Sequence, residues 1–220
     1  MKVHMHLPKT AGTSLNEYLE KHHKVFDYGR VHHLTFMDIR KIKQCSIIVG
    51  HISMKEVDKI GVPKSDIFTI LRNPIDRCIS WYFFCEQGLK LFGKRLTIRD
   101  FFSKNRKHIT QNCYNRQTYQ LADYAHIDLR DPDEQKVLEN AKRNVDEFFY
   151  VFLFENIVNE TQKVFNFSLP KKNKTKRYPK KNSIHPEVIE LIKNWNKLDI
   201  ELYNYVVKKK GEGYEKYLIT

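Results

Sequence analysis

Short apolar runs alternate with helical patterns along this chain, and that alternation is the feature that most restricts its fold. Runs of strand length stand at 3–7, 46–49, 67–71 and 149–154. Helical spacing of apolar residues is found at 13–22, 34–42, 75–87, 97–104, 111–123, 132–145, 156–165 and 185–207. Strands that alternate with helices form parallel sheets covered by helices. The pattern predicts an α/β fold: a single domain, residues 1–220, with a central, mainly parallel sheet of about four or five strands flanked by helices.

The net charge of the chain, +13, favours an anionic partner. Nucleotide phosphates, an acidic glycan, nucleic acid and an anionic membrane all fit such a charge, and a solvated lysine-rich surface explains it equally well. Hydrophobic residues make up 41% and charged residues 30% of the sequence, which indicates a folded globular chain and excludes a disordered one.

The cysteines and the apolar runs bear on metal binding and on compartment. The four cysteines form no CxxC pair and offer no metal-ligand spacing, so we expect no metal site and free, mostly buried thiols: Cys45, Cys78, Cys85 and Cys113. The sequence shows neither a signal peptide nor an apolar run of membrane-spanning length. We therefore expect no membrane span, and either a cytoplasmic protein or a catalytic domain excised from a longer membrane-anchored protein.

The first strand leads into a loop that has the composition of a phosphate site. Residues 6–14 read HLPKTAGTS, in the order strand, loop, helix. Small residues let the backbone approach an anion, the first N–H groups of a helix are unpaired, and Lys9 adds a full positive charge. The loop is not a Walker A motif, because Lys9 precedes the glycine instead of following it. An ordinary strand-to-helix turn capped by Thr13 or Ser14 is the alternative interpretation.

A second strand–turn–helix unit lies at 69–82 and reads TILRNPIDRCISWY. Arg72 stands at the carboxyl end of the strand, which is the edge where open α/β sheets bind ligands. Ser80 follows about two helical turns later and is placed to share one anion with Arg72. The alternative is a local ion pair between Arg72 and Asp76, with Ser80 as a packing residue.

Taken together, the two units resemble the paired cofactor motifs of carbohydrate sulfotransferases that use 3′-phosphoadenosine-5′-phosphosulfate (PAPS). The resemblance implies the P-loop-kinase-like sulfotransferase fold. In that family the first loop binds the 5′-phosphosulfate, and the Arg and Ser of the second motif bind the 3′-phosphate. The implied 5′ site consists of Lys9, Thr10, Ala11, Gly12, Thr13 and Ser14, and the implied 3′ site of Arg72 and Ser80.

Shorter segments extend the resemblance over most of the chain. VGHIS at 49–53 is similar to the GHVS segment of heparan sulfate 2-O-sulfotransferases, whose His is taken as the general base. NRQT at 115–118 resembles the NNRQ segment of heparan sulfate 6-O-sulfotransferases, and LDIELY at 198–203 resembles their closing helix. The resemblance also implies a loop before the last helix that closes over the nucleotide.

The resemblance assigns further roles to single residues. Transfer of a sulfuryl group requires an in-line acceptor, a stabilised leaving group and removal of the acceptor proton. His51 is the expected general base and Lys9 the expected leaving-group stabiliser. The alternative for His51 is a structural histidine bonded to a loop carbonyl. The stretch 171–181 contains seven Lys or Arg and no acid. Its expected nucleotide contacts are Asn173, Lys174 and Thr175. The expected acceptor contacts are His33, which is also the next candidate base after His51, and Arg116 and Gln117, for which a cofactor contact or a plain helix surface is the alternative.

The sequence therefore predicts an enzyme that moves a sulfuryl group from PAPS to a hydroxyl acceptor, with adenosine 3′,5′-bisphosphate as product and no metal. We expect a carbohydrate acceptor, for which an acidic glycan suits the charge, and no nucleic acid. A P-loop-like nucleotide kinase is one alternative, but it would need Mg²⁺ and a Lys next to Ser or Thr. A non-enzymatic polyanion-binding protein is the other, but it leaves the two anion motifs unexplained.

Overall fold

Five parallel strands form one open sheet in this computed structural model, which describes residues 1–30, 36–88, 96–103, 112–122, 133–169 and 184–219. The strands are β1 (Lys2–Met5), β2 (Val25–Asp27), β3 (Ile47–Gly50), β4 (Ile67–Leu71) and β5 (Tyr150–Leu153). Their order is β2-β3-β1-β4-β5, and each neighbouring pair is parallel. The predicted α/β fold with a parallel sheet is confirmed.

Helices follow the strands and cover the sheet. Those before β4 are α1 (Gly12–His22), α2 (Phe36–Ile42) and α3 (Met54–Ile60). Between β4 and β5 lie α4 (Pro74–Phe83), α5 (Ile98–Ser103), α6 (Arg116–Leu121) and α7 (Glu134–Glu147). After β5 come α8 (Ile157–Phe165), α9 (Pro186–Trp195) and α10 (Lys197–Lys210). Short turns of tighter or wider helix stand at Tyr28–Arg30, Lys64–Asp66, Phe84–Gly88, Phe154–Asn156 and Glu215–Tyr217.

Two elements, β2 and α3, were not predicted from the sequence. β2 is only three residues long and pairs with a single neighbour, β3, so its sequence carries little strand signal. α3 does carry recognisable signals. Ser53 and Glu56 form a capping box at its start, and Gly61 ends it in the left-handed conformation. The helix could therefore have been identified from the sequence.

The single long helix predicted at 185–207 is wrong, because α9 ends at Trp195 and α10 begins two residues later. The break exposes new helix-start N–H groups, and they are bonded. Asn115 Oδ1 accepts hydrogen bonds from the N–H groups of Leu198 (3.0 Å) and Asp199 (3.3 Å). In return, the Asp199 carboxylate accepts from the N–H groups of Gln117 (3.2 Å) and Thr118 (2.7 Å). The starts of α6 and α10 therefore cap each other.

A fully buried arginine fixes α4 against this junction. Arg77 donates to the carbonyls of Asn112 (2.8 Å) and Cys113 (3.1 Å), and its guanidinium lies 3.8 Å from the Asp199 carboxylate. Both charged side chains are fully shielded from solvent. A buried charge is tolerated when it is paired and hydrogen-bonded, so this pair locks α4, α6 and α10 into one arrangement. Cys78, Cys85 and Cys113 are buried free thiols and Cys45 is a half-buried one, as expected.

Gly50 ends β3 in a conformation that other residues rarely adopt, with φ at 143°. A Cβ at this position would lie 2.9 Å from the Gly29 nitrogen and 3.0 Å from Tyr28 Cβ. We expect Gly50→Ala to lower the free energy of unfolding by about 1–3 kcal/mol, because it adds a steric clash to backbone strain. Urea denaturation measures the effect.

Gly61→Ala is the matched control for this prediction. Gly61 also has a positive φ, at 76°, but a Cβ at this position would meet no other atom within 4 Å. Gly61→Ala therefore measures the cost of the positive φ alone, without a steric clash. Equal destabilisation by the two changes would mean that the contact with Tyr28 and Gly29 adds nothing to the cost of Gly50→Ala.

Candidate active site

Three residues predicted to be functional meet at one edge of the sheet. Lys9 follows β1, His51 follows β3 and Arg72 follows β4. Because β3, β1 and β4 are adjacent and parallel, their carboxyl ends form the centre of the same edge. The strands that follow β1 lie on both sides of it, with β2 and β3 on one side and β4 and β5 on the other. The edge beside β1 is therefore a topological switch point, the place where open α/β sheets bind ligands.

The loop between β1 and α1 has the backbone geometry of an anion site. Lys9 and Ala11 both adopt positive φ values, 68° and 67°, on either side of Thr10. Alternation of left-handed and right-handed residues turns successive N–H groups into a concave surface that suits anions. The Thr10 hydroxyl is buried and donates to the Leu7 carbonyl at 2.8 Å, so this side chain holds the loop in shape. At the start of α1, Thr13 is exposed and Ser14 is buried.

Gly12 permits a close contact between the loop and β1. A Cβ on Gly12 would lie 1.9 Å from Cδ2 of His6. Any larger residue at position 12 would clash with the His6 ring, and it would also hinder the approach of an anion to the loop.

Two cations lie together in the site. The Arg72 guanidinium donates to the Lys9 carbonyl at 2.9 Å and packs 4.2 Å from the centre of the Phe154 ring. Lys9 Nζ lies 4.2 Å from the centre of the Phe84 ring. Burial lowers the pKa of Lys9, and the nearby charge of Arg72 lowers it further. An anion that binds near both side chains would offset the unfavourable interaction between their charges.

The backbone of Arg72 is fixed from two sides. Gln117 Oε1 accepts from the Arg72 N–H at 3.0 Å, and Gln117 Nε2 donates to the Arg72 carbonyl at 2.9 Å. Glu155 Oε1 accepts from the Asn73 N–H at 2.8 Å, and Glu155 Oε2 accepts from the Tyr203 hydroxyl at 2.9 Å. Both groups of the Gln117 amide thus contact the end of β4, and the predicted contact of Gln117 with the acceptor stays a prediction. Glu155 was not predicted, although its position directly after the apolar run of β5 was a usable signal.

His51 is held as a neutral ring with a defined tautomer. Its Nδ1 lies 2.8 Å from the His6 carbonyl, which only accepts hydrogen bonds. Nδ1 therefore carries the proton, and Nε2 of the neutral ring keeps its lone pair. Partial burial lowers the pKa of His51 and the Arg116 charge lowers it further, against the opposing effects of the His6 hydrogen bond and of Asp27. A neutral histidine that is exposed to solvent and keeps the lone pair on Nε2 suits a general base.

Comparison with known protein families identifies the chain. A family model described as the sulfotransferase family matches residues 3–206, a range that contains both anion motifs and His51. The chain belongs to the sulfotransferase family. A search of curated proteins finds no match.

Of the remaining predicted site residues of this sulfotransferase, the structure describes two and leaves four outside the described ranges. Ser80 lies on α4 and is 5% exposed, and Arg116 is half-buried at the start of α6, where its charge acts on His51. Outside the described residues lie His33, Asn173, Lys174 and Thr175.

Neither a metal-binding cluster nor a membrane-spanning helix is found among the described residues. Among the residues that the structure describes, no three or more His, Cys, Asp or Glu side chains come together in a group suited to a metal ion. None of the described helices has the length and apolar character needed to cross a bilayer.

Proposed function

We propose that this sulfotransferase moves a sulfuryl group from PAPS to a carbohydrate hydroxyl by in-line transfer, without a metal, and that residues 1–220 act as one catalytic domain. The observation that carries the proposal is that Lys9 and Arg72 lie together after adjacent strands. The Arg72 guanidinium donates a hydrogen bond of 2.9 Å to the main-chain carbonyl of Lys9. A donor with phosphate groups at both its 5′ and 3′ positions offers an anion to each of these cations.

Each cation has its own surroundings, which supports separate roles. Lys9 belongs to the loop with alternating backbone hand at the start of α1, which suits the 5′-phosphosulfate. Arg72 precedes α4, the helix that carries Ser80, and its backbone is fixed by Gln117. This rigid mounting suits a residue that must distinguish a 3′-phosphate from a 3′-hydroxyl, since preorganised donors lose little entropy on binding.

His51 supplies the proton acceptor in this proposal. Its Nε2 takes the proton of the acceptor hydroxyl while the acceptor oxygen bonds to sulfur and the bond from sulfur to the 5′-phosphate oxygen breaks. Lys9 stabilises the negative charge that the departing 5′-phosphate gains. The products are the sulfated acceptor, adenosine 3′,5′-bisphosphate and a proton, which His51 releases to solvent.

The acceptor class is supported by charge. The net charge of +13 and the half-buried Arg116 beside His51 favour an acceptor that carries acidic groups, such as an acidic glycan. A screen of neutral and acidic glycans with radiolabelled PAPS, with the products identified by mass, tests both the reaction and the acceptor. Absence of transfer to every hydroxyl acceptor in such a screen would contradict the proposal.

We expect Arg72→Ala to remove the preference for a 3′-phosphate. The wild-type protein should bind adenosine 3′,5′-bisphosphate more tightly than AMP, and the variant should bind both alike. Loss of a charge-assisted hydrogen bond costs about 1.5–3 kcal/mol, which corresponds to about tenfold to 150-fold weaker bisphosphate binding. Isothermal titration calorimetry with the two nucleotides measures the difference.

Arg99→Ala is the control for the Arg72 experiment. Arg99 has a 64% exposed side chain that pairs with Glu187 on the surface, and its loss should leave the nucleotide preference unchanged. Equal affinity of the wild-type protein for AMP and the bisphosphate would rule out the proposed 3′ site.

A further inference from the structure

The ring of His6 lies between His51, the proposed base, and the loop that joins β1 to α1 and contains Lys9, called the anion loop below. It stacks on the His51 ring with centroids 4.4 Å apart and planes 21° from parallel. It also stacks on the His4 ring, with centroids 5.8 Å apart, and packs against Gly12, where even a methyl group would lie 1.9 Å from His6 Cδ2. One side chain therefore contacts both the residue proposed to remove the acceptor proton and the turn proposed to hold the 5′-phosphosulfate.

The main chain of His6 contacts the same histidine. The His6 carbonyl accepts from His51 Nδ1 at 2.8 Å and from Gln120 Nε2 at 3.2 Å. The His6 N–H donates to the Gly50 carbonyl at 2.8 Å, which ties the two strand ends together next to His51. The carbonyl sets which nitrogen of His51 is protonated, and the stacked ring limits rotation of the His51 plane.

The His6 ring is neutral over the whole working range of pH. Burial lowers its pKa to about 2, and the neighbouring His4, His51 and Lys9 contribute to the same direction. His6 therefore adds no charge beside Lys9 and does not compete with His51 for the acceptor proton. A planar, uncharged ring can pack against His51 and against Gly12 of the anion loop without adding charge to the site.

We propose that His6 is a positioning residue for sulfuryl transfer. Its ring holds the His51 ring in the plane that presents Nε2 to the acceptor, and it keeps His51 at a fixed distance from the anion loop. The inference rests on the proposed role of His51 as general base. Without the His6 ring, His51 gains solvent and rotational freedom, while Asp27 on β2 and Arg116 on α6 continue to face it.

Nuclear magnetic resonance of the protein labelled with ¹³C and ¹⁵N in histidine tests the inference without an acceptor. The His51 signals are assigned by their loss in His51→Ala. In the wild-type protein we expect one neutral tautomer, protonated at Nδ1, and a pKa below the ordinary value of about 6.5. His6→Leu keeps the carbonyl at position 6 but removes the stacked ring. We expect the His51 ring to turn away from that carbonyl part of the time, so that its pKa rises towards the ordinary value and its tautomers mix. In His6→Phe, which keeps a stacking ring, both properties should remain as in the wild type.

The controls separate positioning from general damage. His23→Leu, at an exposed site after α1, should leave the His51 signals unchanged. A folded His6→Leu protein with the wild-type tautomer and pKa would overturn the inference. If His6→Leu does not fold, His6→Phe decides alone, because a His51 pKa near the ordinary value in that variant would overturn it as well.

Turnover measurements with PAPS and the acceptor found by the screen distinguish this inference from the proposed function. If the His6→Leu signals change as expected but His51→Ala keeps full turnover, the base assignment fails while the contact between the two rings stands. If His51→Ala is inactive and the His51 signals are the same in all His6 variants, the positioning role of His6 fails alone.

Discussion

His51→Ala is expected to lower the turnover number by about 10²–10⁴-fold, the usual contribution of a general base. Affinity for adenosine 3′,5′-bisphosphate should change little, because His51 contacts the His6 carbonyl and ring and is assigned to the acceptor side of the site. The kinetic constants with saturating PAPS and calorimetry with the bisphosphate measure the two effects. A loss confined to kcat would identify a residue that acts in the transition state.

The pH dependence of the wild-type enzyme gives the same prediction a second readout. A base must be unprotonated, so turnover falls as pH falls through the pKa of His51. Since burial and Arg116 lower that pKa, the fall should occur below pH ~6.5 and be absent from the residual activity of His51→Ala. His23→Ala, at an exposed position, is the matched control. Near-normal turnover of His51→Ala would make His51 structural.

Lys9→Ala should reduce both turnover and bisphosphate affinity, because the donor phosphate uses the same charge before and during transfer. Removing one preorganised charge-stabilising group typically costs about 10²–10³-fold in kcat. Burial lowers the pKa of Lys9, and the charge of Arg72 lowers it further, so a bound anion would stabilise the charged form of Lys9. Turnover and calorimetry with the bisphosphate measure the two losses.

Lys21→Ala serves as the control for Lys9, since Lys21 lies exposed in the last turn of α1. It removes one charge from the same strand–loop–helix unit without touching the loop. If Lys21→Ala weakens the bisphosphate as much as Lys9→Ala does, net charge explains the binding and the loop does not. A Lys9→Ala variant with normal affinity and low kcat would instead restrict Lys9 to the leaving group.

The sequence was sufficient for the parts of the site that follow from local order along the chain. Lys9 and Arg72 each stand where a strand gives way to a helix, and a parallel sheet brings such points to one edge. The Gln117 and Glu155 contacts depend on how distant elements pack, with 45 positions separating Gln117 from Arg72 and 82 separating Glu155 from Asn73. Neither periodicity nor turn chemistry reports such a distance, so neither contact could be predicted from the sequence, although the position of Glu155 directly after β5 marked it as a candidate.

The break between α9 and α10 shows the same limit. The apolar stripe continues through 188–202, and the pattern alone indicates one helix. The interruption at Asn196 is stabilised by Asn115, a residue that is 83 positions from Leu198 in the chain. Local propensity was overruled by a tertiary cap that could not be seen from the stripe itself.

Because α6 and α10 cap each other, the candidate active site is not complete before Asp199 has been synthesised. α6 has six residues, too few for a helix to persist by itself, yet it carries the Gln117 contact to Arg72 and the Gln120 contact to the His6 carbonyl. Its first N–H groups are bonded to Asp199, which follows Gln117 by 82 positions and is therefore synthesised later. We therefore expect nascent chains that end before Asp199 to contain both anion motifs but to hold neither Arg72 nor His51 in its final place.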